Sequence, residues 1–144
     1  MSSTVYDEDF VQWTAETARL LRERRFDQID VEHIAEEIED MGKRDRRELE
    51  SRLTVLVSHL LKWKCQSLKR SHSWQTTATN QRIKLRVLFR DSPSLKASLP
   101  RWIEEVYPDA VKRAKFETNL PEDAFPSRCP FTADQLLDPD YLPD

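Results

Sequence analysis

Gly42 is the only glycine in 144 residues. Tight β-hairpin turns draw on glycine for positive φ, so a chain this poor in it cannot close many hairpins. The scarcity points to helices. At this length one hydrophobic core can bury roughly two-thirds of the unfolded surface, without disulfide or metal. The expectation is a single all-α domain over 1–144: a bundle of about five or six helices over 1–120, with a Pro-rich strap over 121–144.

Helical periodicity supports this along the chain. Phe10, Trp13, Thr14, Thr17, Leu20 and Leu21 predict a first helix from about Glu8 to Arg24, capped by Asp7. Asp30 is the next N-cap. From Val31 the stripe is Val31, Ile34, Ile38 and Met41, resuming as Leu49, Leu53, Leu56, Leu60 and Trp63. The 11 residues from Ile38 to Leu49 are close to three turns at about 3.6 residues each, so the two stripes are in phase. The spacing predicts one long central helix through Gly42 to about Ser67, with a break at Gly42 as the rival.

Ser73 would cap a helix over Trp74–Arg90, whose stripe is Trp74, Ala78, Gln81, Leu85 and Leu88. Ile83 and Val87 lie off that stripe, giving the helix a second apolar side. DSPS turns the chain and starts a helix at Pro93 or Ser94. Pro100 should kink that helix or delay its start, and Pro108 should open a further piece. The strap holds five of the eight prolines, but also Phe125, Phe131, Leu136, Leu137, Tyr141 and Leu142. It should therefore pack on the bundle. Thr132 and Gln135 form a capping-box pattern for one short turn.

The net charge of −3 conceals three blocks. Residues 1–42 carry 12 acids and 4 Lys/Arg, residues 43–90 carry 3 and 13, and residues 91–144 carry 11 and 6. No acid lies between Glu50 and Asp91. Such a basic block either meets a polyanion or is neutralised by the acidic ends, within one chain or across a dimer. The opening MSSTVYDEDF has neither a basic start nor an apolar run, and no stretch is apolar enough to span a membrane. Cys65 and Cys129 form no CxxC pair. The expected compartment is the cytoplasm, with reduced thiols.

Several short pieces recur here in one order: YDEDF, FDQID, EEIEDMG, LESRL, HLLKW, SW with QR seven residues on, DSPSL, CPFT and QLLD. In this the chain resembles the bacterial family known as domain of unknown function number twenty-nine, from about Tyr6 to Leu142. The resemblance implies a small helical protein. It implies no catalytic residues.

Three constellations could carry function. His33, Glu36, Glu37 and Asp40 share one helix face and could form part of a metal shell. Di-iron bundles, however, need Glu-x-x-His in pairs, and this chain has none. The same acids also read as a ladder of i, i+4 ion pairs: Glu39–Lys43, Asp40–Arg44, Arg44–Glu48, Arg46–Glu50 and Glu48–Arg52. Asp45 falls within the apolar stripe, and Glu37, Glu48, Arg52 and His59 lie along its border. These could be structural ion pairs or a polar groove that binds a ligand, unless a kink at Gly42 turns Asp45 outward. Lys62, Lys64, Lys69, Arg70 and His72 interleave with Trp63 and Trp74, as single-stranded nucleic acid would want, though both tryptophans continue core stripes.

No cofactor is implied. The expected function is a non-catalytic interaction or adaptor domain that associates with a protein partner or with itself. A nucleic-acid binder using residues 51–90, or a metal-dependent enzyme using the His33 face, is the alternative.

Overall fold

A computed structural model describes residues 3–144, with side chains from Val5 onward. The first residues of MSSTVYDEDF, which lacks a basic start and an apolar run, lie outside that range. The described chain is helical, without strands. Its helices are α1 (Ser3–Glu8), α2 (Phe10–Arg22), α3 (Val31–Cys65), α4 (His72–Asp91), α5 (Pro93–Ala97), α6 (Leu99–Thr118) and α7 (Ala133–Leu137). Single 3-10 turns lie at Phe26–Gln28, Ser67–Lys69 and Glu122–Ala124. Two compact units divide the chain within α3: residues 1–44 and residues 45–144.

The long helix α3 runs through Gly42 without a break. A Cβ added there would meet nothing within 4 Å. With so little glycine, the chain turns helix ends on other residues. Arg24 takes a left-handed φ of 60° and Asn119 one of 59°. After α2 the Arg24 amide donates to the Leu21 carbonyl and the Arg25 amide to that of Leu20, the hydrogen-bond pair of a Schellman motif.

Several boundaries differ from the sequence expectation. Asp9, not Asp7, caps α2, its carboxylate accepting the Gln12 amide at 3.0 Å, and Asp7 lies in α1. Ser71, not Ser73, caps α4, accepting the Trp74 amide at 3.2 Å. In each case two capping residues stand two apart, and both satisfy the local rule. Pro100 sits in the first turn of α6, where a missing N–H breaks no helical bond. Pro108 opens no new piece but lies inside α6. The buried row Ile103, Val106, Tyr107, Ala110, Val111 and Ala114 continues on both sides of it. That burial outweighs the ~3 kcal/mol a helical proline costs.

The core belongs to the second unit. Leu49, Leu53, Leu56 and Leu60 of α3 pack with Leu85 of α4 and with Ile103 and Ala110 of α6. Phe125, Phe131 and Leu136 close it from the strap. The Thr132–Gln135 capping box forms at α7. Arg82 of α4 fastens that helix: its Nε donates to the Leu136 carbonyl at 2.8 Å and its Nη2 to the Gln135 carbonyl at 3.1 Å. These oxygens are among those a short helix leaves unpaired at its C-terminus.

Candidate functional site

In the first unit, α1 and the start of α3 are joined by one polar and aromatic cluster. Asp30 caps α3, accepting the His33 amide through Oδ1, while its Oδ2 lies 2.5 Å from His33 Nδ1. The hydrogen bond to Asp30 raises the His33 pKa, and the same bond lowers that of Asp30. The Tyr6 ring stacks on the His33 imidazole with centroids 3.8 Å apart and planes 18° from parallel. Its hydroxyl donates to Glu37 Oε1 at 2.5 Å. That bond to a carboxylate pushes the phenol up to about 12. Trp13 meets the Tyr6 ring edge-on at 4.8 Å.

His33 and Glu37 are therefore committed to Asp30 and Tyr6, while Glu36 and Asp40 are exposed. Among the described residues no group of three or more His, Cys, Asp or Glu side chains is placed to hold a metal ion. Tyr6 is the partner the sequence pattern leaves unseen. It lies 31 residues from Glu37, and no local spacing links them.

Beside this cluster lies an apolar groove of about 400 Å³ between α2 and α3, with Glu37 and Arg44 among its lining residues. Its walls are poorly covered. Phe10 is 46% exposed, Ile38 60% and Met41 55%. The in-phase stripe of α3 is thus closed at Leu49, Leu53, Leu56 and Leu60 and open at Val31, Ile38 and Met41, with Ile34 half-buried.

The expected ladder of ion pairs on α3 is mostly not formed. Of its five pairs only Arg52–Glu48 comes within range, at 3.8 Å, and without a hydrogen bond to Arg52 Nε. Exposed pairs of long side chains gain little over hydration, which leaves the others in water. Asp45 is exposed although the helix is unbroken, so its carboxylate needs no buried partner.

In the second unit, His59 is buried and its Nδ1 lies 2.9 Å from the Val55 carbonyl. Burial lowers its pKa, although the carbonyl contact works the other way. Lys62 is buried too. Its ammonium lies 2.6 Å from Glu117 Oε2 and 4.9 Å from the centre of the Trp74 ring. Arg70 lies over Trp63 and donates to the carbonyls of Trp63 and Asp144. Lys64, Lys69 and His72 are exposed. The basic and aromatic stretch is thus divided between internal pairing and solvent. Burial raises the Cys65 and Cys129 thiols, outweighing Lys64 at Cys65, so neither is an activated thiolate.

Among the described residues, no helix is long and apolar enough to cross a membrane. The family model described as Domain of unknown function DUF29 matches residues 5–142. Neither the curated proteins nor the solved structures give a match.

Proposed function

The chain belongs to the DUF29 family, and from that footing we propose that it is a non-catalytic interaction domain that pairs with a second copy of itself through residues 1–44. The carrying observation is the open apolar face: Phe10, Ile38 and Met41, each about half exposed or more, around one groove. A unit of 44 residues is near the size, about 40, below which a chain cannot bury enough apolar surface alone. A contiguous uncovered patch on such a unit favours a protein contact.

Charge favours a second copy as the occupant. Along α3 the acids Glu32, Glu36, Glu37, Glu39 and Asp40 precede Gly42, and Lys43 and Arg44 follow it. Two such helices set antiparallel about a two-fold axis near Met41 bring the acidic stretch of each to the basic end of the other. Arg44 lines the groove, and Glu39 and Asp40 of each copy come level with Arg44 and Lys43 of the other. With Glu39–Lys43 and Asp40–Arg44 not closed within the chain, those charges are free to pair across the contact. The side-chain-free surface of Gly42 lets two helices approach closely there.

Sedimentation equilibrium on the full chain tests this. A concentration-dependent dimer is expected, lost in Ile38→Glu/Met41→Glu protein. Asp40→Arg should weaken it, and adding Arg44→Glu should restore it. A monomer up to high micromolar concentration would overturn the proposal, as would a dimer indifferent to these substitutions.

A further inference from the structure

The second unit carries a cleft of about 440 Å³ bounded by α4, α5 and the chain around α7. That size suits a small-molecule ligand. Arg82, Arg86 and Arg90 line it from α4 at i, i+4 and i+8, Lys96 adds a fourth cation from α5, and no carboxylate lines it. Like charges four apart on a helix repel, and no acid between Ser51 and Arg90 relieves them.

The four cations are not equivalent. Arg82 is half of the fastening that holds α7, with its donors on the Gln135 and Leu136 carbonyls, and it also feels Asp138 and Asp140. Arg90 Nε lies 3.2 Å from Asp91 on an exposed surface. Arg86 and Lys96 have no acidic partner among the described residues. Between these charges the wall is apolar: Ile83, Phe89, Leu137 and Pro139. Ile83 is 44% exposed, and of the second apolar side of α4 it lines the cleft while Val87 does not.

We propose that this cleft binds a small phosphomonoester with a flat apolar body. Its phosphate would lie among Arg86, Arg90 and Lys96, and its body against Ile83 and Leu137. A guanidinium fork matches two phosphate oxygens at once. A group carrying close to two negative charges at neutral pH suits three cations better than a carboxylate does. A bare anion would leave the apolar wall in water, and a neutral apolar molecule would leave the arginines unpaired.

Calorimetric titration of the full chain with phenyl phosphate provides the test, with inorganic phosphate and benzyl alcohol as comparators. Phenyl phosphate should saturate one site and bind more tightly than either comparator. Arg86→Gln and Lys96→Gln, both at exposed positions, should each weaken it about tenfold, the scale of a lost charge-assisted hydrogen bond. Ile83→Ser should bring it to the level of inorganic phosphate. Absence of saturable binding at millimolar concentration would overturn the proposal, as would equal binding of phenyl and inorganic phosphate, or full affinity in Arg86→Gln/Lys96→Gln protein.

Discussion

The Lys62 ammonium meets Glu117 Oε2 at 2.6 Å with only 7% of the lysine side chain exposed. The contact ties α3 to α6 across 55 residues of sequence. Burial pushes the Glu117 carboxyl up, but the Lys62 hydrogen bond and the charges of Lys62 and Arg113 bring it below its ordinary value. Glu117→Gln leaves a buried ammonium without its counter-charge. It should destabilise the fold by about 2–3 kcal/mol, less than the ~3–5 of a fully buried pair because the glutamate is 30% exposed. Lys62→Met/Glu117→Leu should recover most of that loss. Urea unfolding of the three proteins checks both statements; a Glu117→Gln midpoint equal to wild type would refute the first.

The histidines His33 and His59 should titrate on opposite sides of the ordinary value of 6.5. His33 is raised by Asp30, so its contribution to stability is full below 6.5 and is lost as pH rises through its folded pKa. His59 is lowered by burial, so its contribution is full above 6.5 and is lost as pH falls. Asp30 is lowered, so its share is present above 3.8 and is lost in acid. A histidine-resolved NMR titration should find this order, and Asp30→Asn should bring His33 down without moving His59. The reverse order would contradict the geometry of both sites.

Glycine is misplaced in this chain from the standpoint of stability alone. Gly42→Ala puts a better helix former into α3 where the space is open, and should stabilise by up to about 1 kcal/mol. Arg24→Gly relieves a left-handed residue and should add about 1 kcal/mol. Thermal melts of the single variants test each. A lower melting temperature for Arg24→Gly would mean that the arginine side chain matters more than its backbone strain.

Much of this architecture is written in the sequence, and the exceptions have physical causes. Periodicity carries α3 because Ile38 and Leu49 stand 11 residues apart. The same pattern cannot say that Leu49 is fully buried while Ile38 is 60% exposed, since that depends on which other elements arrive above each. Pro108 reads as a boundary because local rules count the lost hydrogen bond and not the burial around it. In the Tyr6–His33–Asp30 cluster, Asp30 and His33 are neighbours at one helix start, but only folding brings Tyr6 to them. The arginine row on α4 differs. Its i, i+4 spacing is legible in the sequence, but no local rule says that Lys96 and Leu137 close a cleft beside it.

The fastening of α7 by Arg82 also bears on how the protein is made. The guanidinium holds carbonyls more than 50 residues further along the chain, and Phe125, Phe131 and Leu136 finish the core that α3, α4 and α6 begin. On the ribosome, those three helices emerge before the residues that seal them. The second unit therefore completes its core late, through contacts distant in sequence, and its nascent form presents bare leucine rows until residues 125–136 arrive.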